Sequence, residues 1–550
     1  MNRIQNGTLP LPASNKDKTK DWQLEILMEK LRSKAAQFKT LPEISKNVRM
    51  TLLEKRYALD SVEKSQHQKM SRYVTALDQS HIAPKYGGTA GKLKFVVEPS
   101  GVFISSDMFY LEIFLDPSGA VKDVKIHHEG KKDQQSCTEL VNCLSRGDFD
   151  DFTAQLEGFA SIYELNAEKK VKCKAFIALE SLETDLTTLA QLQMFMKESF
   201  SLIHKSPVGI LEKRRGGHPM KLTYFVSPYD LINVEKNDLD AISIETIINK
   251  KLGYSVTVCM DGSAAHKLQT DSLITVNRNI NGKNTPSYSP LTPQNSAVFP
   301  ACFVLKLNKP MPMCLSLVRQ IQKIHPWSEI DTVPTQPLLS LIVQHASDGK
   351  MDSSNNKGLF VTLPDQNHCY FMTENKNMDG LLISSIPFTH PAHVANILVI
   401  LREQALFNTI ISSCVRPNSR QDFENMTMFE VSALSSTHIS ISLEHPMEES
   451  MATAEVDLTD ISNLVCRIHN PGTPPPANTP DTTSELAAKI LNKCFSLPVT
   501  LRAIIKLWER QSMRRSTYGG HENFSLPLGS GDPGGHKGGA RPRAHGIRGG

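Results

Sequence analysis

The periodicity of the apolar residues changes near residue 100, and this change limits the folds open to the chain. Before it, apolar residues recur with the spacing of one helix face, at Leu24, Leu27, Met28, Leu31, Ala35 and Phe38. After it, they occupy every second position, as in a strand, at Phe109, Leu111, Ile113 and Leu115. Asp116-Pro117-Ser118-Gly119 follows, a sequence typical of a turn. Helical spacing in one stretch and strand alternation in another predict an α+β protein.

The N-terminal part is predicted to be a helical hairpin over 21–83, after a flexible N-terminus at 1–20. Its first helix should end at Leu41-Pro42, because proline cannot continue a helix. The second should lead into a breaker-rich stretch at 83–88, after the helical spacing of Met70, Tyr73, Val74 and Leu77.

Tandem modules of antiparallel strands and helices are predicted over 100–204, 216–330 and 337–466. In the first module, a helix over 140–159 should break at Gly147-Asp148. The second and third share a pattern of strands, prolines and a helix, with Pro310, Pro312 and Pro391 leading into the helices. The predicted strands are 222–226, 255–260, 301–307, 358–363, 368–372 and 381–387, and the helices are 315–324 and 394–411. An antiparallel β-meander should follow at 427–466.

The C-terminal part is predicted to be a Pro/Thr-rich linker at 467–483, a helix at 484–513 broken at Pro498, and a disordered tail at 516–550. The tail is rich in glycine and has almost nothing to bury. The helix carries an apolar stripe at Leu501, Ile504, Ile505 and Trp508. We predict that this stripe binds a partner protein. The alternative is that the helix packs on the chain's own strands.

Composition and charge exclude several classes of function. The 61 basic and 57 acidic residues give a net charge of +4, which is too balanced for a protein that binds nucleic acid directly. No stretch approaches eighteen consecutive apolar residues, so we expect no membrane span. The ten cysteines occur singly, which is typical of reduced thiols and not of a disulfide framework or a zinc site. We therefore predict no metal and no cofactor.

Three short motifs resemble catalytic ones, and each lacks a required feature. Gly87–Leu93 (GGTAGKL) is one residue short of a phosphate-binding loop and has leucine where a magnesium-binding hydroxyl is needed. His127-His128-Glu129 lacks the spacing of a metal-binding helix and should be a solvated strand end. His368 and Cys369 are neighbours on a predicted strand and should point to opposite faces. We predict no enzyme, although a site assembled from distant His and Cys residues is a remaining alternative.

Seven fragments of the chain resemble the Mediator complex subunit 1 family, in the order of that family and within about 22–514. They begin with SSDMFYLEIFLDPSG at 105–119 and end with SLPVTLRAI at 496–504. The other five are 123–130, 136–144, 216–231, 299–306 and 368–372. Several ordered matches of this length are far more specific than one short motif.

The resemblance implies a non-enzymatic, nuclear scaffold subunit of Mediator, the assembly that connects activators with RNA polymerase II, docked on the middle module. Family members usually continue into a long tail with two LxxLL boxes, which bind nuclear receptors. This sequence has no LxxLL, so we do not expect receptor binding through such boxes. The nearest segments, 338–342 and 501–505, should be core or docking helices. A short form that competes with a full-length subunit is an alternative function.

Overall fold

The computed structural model describes the parts of the chain given at the end of this paragraph. The first predicted helix, the stretch at 70–77, the GGTAGKL motif and most of the predicted tail lie outside them. The predicted α+β class is confirmed. The described residues are 41–57, 94–98, 101–115, 120–129, 131, 134–233, 235–278, 284–353, 357–419, 426–446, 450–469 and 481–518.

The described residues form eleven α-helices and two short 3-10 helices, the latter at Pro228–Leu231 and Ser328–Thr332. The α-helices are α1 (Leu41–Tyr57), α2 (Thr138–Arg146), α3 (Phe149–Ser161), α4 (Lys169–Leu192), α5 (Ser199–His204), α6 (Ile244–Lys250), α7 (Leu315–Ile324), α8 (Leu338–Ala346), α9 (Pro391–Ser412), α10 (Thr482–Cys494) and α11 (Leu497–Tyr518).

The described strands form three main sheets and two short hairpins. They are β1 (Lys94–Glu98), β2 (Gly101–Ser105), β3 (Phe109–Leu115), β4 (Val121–His128), β5 (Gln135–Ser136), β6 (Ile210–Glu212), β7 (Met220–Phe225), β8 (Ile232–Asn233), β9 (Asp238–Leu239), β10 (Tyr254–Gln269), β11 (Ile274–Arg278), β12 (Asn284–Tyr288), β13 (Ser296–Cys314), β14 (Gln336–Pro337), β15 (Leu359–Thr362), β16 (Asn367–Thr373), β17 (Asp379–Phe388), β18 (Met426–Ala433), β19 (His438–Glu444), β20 (Met451–Asp457) and β21 (Val465–His469).

The first sheet is antiparallel, in the order β1-β2-β3-β4-β5. The predicted hairpin is confirmed as β3 and β4, in which Leu111 pairs with Ile126 and Ile113 with Val124. These four side chains are buried, because alternation along each strand places them on the face that the helices cover. The predicted helix break is also confirmed: Gly147 ends α2 at φ +72°, and the Asp148 side chain then caps α3.

The second sheet has the order β14-β17-β13-β10-β7-β6, so it takes strands from both 216–330 and 337–466. β17 pairs antiparallel with β13, placing Phe388 opposite Phe303. Pro310 and Pro312, expected to lead from strand to helix, lie inside β13. Pro310 lies where the β13–β17 register shifts, between Lys306 and Met311, and such an irregular ladder accommodates proline. Pro312 lies beyond the shift, opposite Leu382 of β17. The division into modules stays a prediction.

The third sheet has the order β15-β16-β18-β19-β20-β21. The predicted meander is confirmed as β18 to β21, which pair antiparallel in sequence order. β16 and β18 pair in parallel, with α9 and β17 between them in the chain. The strands predicted at 368–372 and 381–387 therefore belong to different sheets.

One continuous hydrophobic core joins the three sheets, from Ile44 in α1 to Trp508 in α11. Its central helix is α9, which is long and apolar enough to cross a membrane. However, 78% of its most apolar window is buried inside the protein, as expected for a core helix. The buried Arg402 of α9 donates from Nε to the carbonyl oxygens of Ile203 and Tyr224, which ties the helix to α5 and β7.

Two glycines allow the loop before β7 to approach α3. A Cβ atom on Gly217 would lie 1.8 Å from the carbonyl oxygen of Gln155, and one on Gly158 would lie 1.9 Å from that of Gly217. Any side chain at these positions would therefore force the backbones apart. His218 adds a 2.8 Å contact from Nε2 to Asp151 Oδ1. This packing explains physically why the fragment at 216–231 has a glycine at position 217.

A buried carboxylate ties α4 to the turn between β10 and β11. Asp185 is 0% exposed and accepts hydrogen bonds from Gln269 Nε2 at 2.7 Å and Ser272 Oγ at 2.6 Å. It also accepts from the backbone N–H groups of Leu273 and Ile274 at 3.0 and 3.1 Å. Several donors converge on one carboxylate here, so both of its oxygens are satisfied without a cation.

Replacing Asp185 with asparagine is expected to lower the free energy of unfolding by about 3 kcal/mol, because the new NH₂ group would face hydrogen-bond donors. Urea unfolding measures the change. Asp261→Asn is the matched control, since Asp261 is 45% exposed and pairs with Lys306 at the surface; it should change stability by less than about 0.5 kcal/mol. Equal effects of the two changes would contradict the structural role of Asp185.

Candidate docking element at the C-terminal helix

The C-terminal helix is divided near residue 495. Phe495 ends α10 in the left-handed region at φ +49°, and its buried ring stacks on Phe225 with centroids 6.4 Å apart. The break was predicted at Pro498, which instead lies in the first turn of α11, where the missing N–H costs nothing. The backbone N–H of Leu497 donates to Ser413 Oγ at 3.0 Å, which joins the start of α11 to the end of α9. α11 extends to Tyr518, beyond the predicted end at 513.

The predicted partner-binding stripe lies in the core of the structure. Leu501, Ile504, Ile505 and Trp508 are 1%, 1%, 4% and 3% exposed. The Trp508 ring lies against the ring of His445, a residue in the loop after β19, and the two ring centroids are 4.3 Å apart. This burial favours the alternative that the helix packs on the chain's own strands. Partner binding by the stripe stays a prediction.

Polar contacts beside the apolar stripe join α11 to the turn between β15 and β16. Asp365 forms ion pairs with both Arg502 and Lys506. Hydrogen bonds from Arg502, which has the larger effect, and from Lys506 hold the pKa of Asp365 well below its usual range. Gln366 Nε2 donates to the carbonyl oxygen of Arg502 at 3.4 Å. The helix is thus held by a buried apolar face and by ion pairs at the edge of that face.

His368 and Cys369 are both 1% exposed and have separate neighbours. His368 lies 2.7 Å from the Tyr370 hydroxyl through Nδ1 and 2.9 Å from Gln366 Oε1 through Nε2. Cys369 Sγ packs against Gly358, where an added Cβ would approach it to 2.3 Å. Burial raises the pKa of the Cys369 thiol to about 11 and lowers that of His368 to about 4. A neutral imidazole and a protonated thiol do not form a nucleophilic pair.

Cys369 is therefore expected to be no more reactive than the other buried cysteines. Iodoacetamide labelling of the folded chain near pH 7, followed by peptide mass spectrometry, measures the reactivity of each thiol. Cys173 and Cys494 are less buried and should react before Cys369. Cys369→Ala should cost about 1 kcal/mol of stability. Selective modification of Cys369 would contradict this and favour the enzyme alternative.

The expectation of a solvated strand end at His127–Glu129 is wrong for His128. Alternation along β4 places His128 on the same face as Val124 and Ile126, and it is only 6% exposed. Its Nδ1 lies 2.8 Å from the Tyr163 hydroxyl, and its ring stacks on Phe176 with centroids 3.9 Å apart. Sequence reasoning missed it because the burying helices come later in the chain.

Other chemistry-bearing groups are dispersed over the described residues. No group of three His, Cys, Asp or Glu side chains there is arranged to hold a metal ion. All ten cysteines are free, and seven of them are buried. The segment 338–342, the closest to an LxxLL box in the middle of the chain, lies in α8 with every one of its side chains buried.

Comparison with known proteins identifies the family. Residues 89–416 match the family model of Mediator of RNA polymerase II transcription subunit 1. The chain belongs to the Mediator subunit 1 family. The Drosophila melanogaster protein of that name is 40% identical over 90% of this chain, and the Xenopus tropicalis protein is 33% identical over 88%. A putative subunit 1 from Dictyostelium discoideum is 22% identical over 73%.

The chain spans about a third of the length of its animal relatives, 34% of the Drosophila protein and 32% of the Xenopus one. The match to the Mediator subunit 1 family model begins just before β1 and ends at Arg416, just after α9. It therefore covers the first two sheets and the central helix. The meander and α11 lie beyond it and pack on it.

Proposed function

We propose that the chain is a non-enzymatic scaffold subunit of Mediator that docks onto other Mediator subunits, those of the middle module, in the nucleus. The observation that carries this proposal is the 40% identity to a named Mediator subunit 1 over 90% of the chain. In this proposal the chain contacts proteins and binds neither nucleic acid nor membrane directly, in keeping with its balanced charge.

The fold supports a scaffold role. One hydrophobic core runs through all three sheets, so surfaces distant in sequence are held in fixed relative positions. Rigid surfaces lower the ordering cost of binding. The polar side chains most suggestive of catalysis, His368 and Cys369, are enclosed by their own neighbours and serve packing.

Co-sedimentation with a recombinant Mediator middle module tests the proposal. We expect the full chain to migrate with the module in a glycerol gradient at a one-to-one ratio. The Asp261→Asn variant, altered only at an exposed ion pair, should migrate in the same way. A folded chain that stayed at the top of the gradient, with a normal thermal melt, would overturn the proposal.

A further inference from the structure

Five of the seven Ser-Pro and Thr-Pro pairs in the sequence lie in the described residues, and the structure divides them into two groups. Ser206 and Ser227 are buried, at 0% and 5% exposure. The other three pairs fall within nine residues, on β12 and in the turn after it: Thr285-Pro286, Ser289-Pro290 and Thr292-Pro293. A hydroxyl followed by proline is the feature by which one class of protein kinase selects its substrates.

Proline after the acceptor hydroxyl has a physical meaning in this selection. A kinase cleft that offers no acceptor to the N–H of the next residue disfavours most residues, because a buried N–H without a partner costs free energy. Proline has no N–H and avoids that cost. The proline must also reach the cleft, and Pro286 is exposed on β12.

Thr285 is the most accessible of the three clustered hydroxyl residues. Thr285 and Pro286 are both exposed, whereas Ser289 and Thr292 are half-buried. The backbone N–H of Ser289 donates to the carbonyl just before β11 at 2.8 Å, and that of Thr292 donates to Asn295 Oδ1 at 2.7 Å. These bonds hold the turn after β12 in a fixed shape, so Ser289 and Thr292 need local opening before a kinase can bind them.

β12 presents Thr285 in the conformation that a kinase binds. Protein kinases bind the residues around the acceptor as an extended strand, and Asn284–Tyr288 already form one. In the described structure β12 pairs with β11 alone, and this hairpin joins no larger sheet. A two-stranded hairpin is marginally stable by itself, so it opens at a lower cost than a strand inside one of the six-stranded sheets.

The hairpin face around Thr285 accepts a phosphate without repulsion. Thr285 lies opposite Asn277 on β11, and Thr275 and Ser287 form the next pair on the same face. None of these four side chains is charged, so a phosphate with a charge of about −2 meets no carboxylate among them. The exposed Asn277 amide has N–H donors that suit a phosphate oxygen.

We propose that Thr285 is a phosphorylation site for a proline-directed serine/threonine protein kinase. Thr285 Oγ1 attacks the γ-phosphorus of ATP, and a new O–P bond forms as the bond from that phosphorus to the β,γ-bridging oxygen breaks. ADP leaves, and the hydroxyl proton passes to the catalytic aspartate of the kinase. The site belongs to this hairpin alone and is independent of the proposed function.

Incubating the full chain with ATP and a recombinant mitogen-activated protein kinase, an enzyme that requires proline after the acceptor, tests the site. Peptide mass spectrometry over time measures the rate of phosphorylation at each residue. Thr285 should be modified at least about tenfold faster than Ser206 and Ser227, because burial limits their reaction to the few molecules that are locally open.

Two matched variants test the role of proline. Pro286→Ala should slow modification of Thr285 at least about tenfold and leave that of Ser289 unchanged. Pro290→Ala should do the reverse. Pro286 and Pro290 are both exposed, so both variants should melt at the temperature of the parent chain.

Three results would overturn the proposal. The first is an unmodified Thr285 in the folded chain; a synthetic peptide of residues 280–290 then tells whether the fold hides the site or the sequence is no substrate. The second is modification of Ser206 or Ser227 as fast as that of Thr285, because exposure would then not select the site. The third is an unchanged rate at Thr285 in the Pro286→Ala variant, because the kinase would then not be reading the proline.

Discussion

Replacing Trp508 and Ile505 together with alanine is expected to lower the free energy of unfolding by at least about 5 kcal/mol. Both side chains are buried in the core, and Trp508 covers His445. Each truncation removes apolar contacts and leaves a cavity that the neighbouring strands cannot fill. The midpoint of thermal unfolding should fall by about 10 °C or more, measured by circular dichroism.

Met513→Ala is the matched control, because Met513 lies on the same helix and is 71% exposed. It should change stability by less than about 0.5 kcal/mol. Association with the middle module, measured below the lowered melting temperature, should survive the double substitution. Loss of association with an unchanged melt would instead support partner binding by the stripe. If neither property changed, α11 would be dispensable and both interpretations wrong.

Acidification from pH 7 to pH 5 is expected to destabilise the chain by about 2 kcal/mol for each of three buried histidines. Burial lowers the pKa of His128 to about 3, and the pKa values of His204 and His368 to about 4, from the ordinary value of 6.5. All three are at most 6% exposed. Below pH 6.5 the unfolded chain binds protons that the folded chain cannot accept, so stability falls toward pH 4 and is regained as pH rises.

Urea unfolding at pH 7 and pH 5 measures this effect. His204→Gln removes one titrating group and should reduce the difference between the two pH values by about 2 kcal/mol, whatever it costs at pH 7. Met194→Gln is the control, because Met194 is 65% exposed and carries no titrating group, and it should leave the difference unchanged. Carboxylates with lowered pKa values, such as Asp365, lose their contribution to stability only at pH values below this range. Equal stability at pH 7 and pH 5 would contradict the neutral, buried state of the histidines.

Local patterns in the sequence predicted local structure well. The β3–β4 hairpin follows from alternation, and the break at Gly147 follows from a glycine and a capping aspartate, so neighbours in the chain determine both. Strand partners across long distances could not be predicted. The pairing of β17 with β13 and of β16 with β18 depends on how whole sheets and α9 pack, which no short pattern encodes.

The same difference between local patterns and contacts between distant parts of the chain applies to the candidate sites. The stripe from Leu501 to Trp508 was visible in the sequence, but the sequence does not tell whether an apolar helix face meets the chain itself or a partner. The burial of His128 was not predicted, because the Tyr163 and Phe176 side chains that cover it come from later parts of the chain.

The recruitment of β17 into the second sheet has a consequence for synthesis on the ribosome. β17 begins at Asp379, 65 residues after β13 ends at Cys314 (379 − 314). At translation rates of about 5–20 residues per second, synthesis of these residues takes roughly 3 to 13 s, and the edge of β13 has no partner strand until then. During that interval, the apolar strand edge around Phe303 and Leu305 is open to pairing with other nascent chains. Codon choice and chaperone access between residues 314 and 388 should therefore affect the yield of folded protein more than equal changes elsewhere.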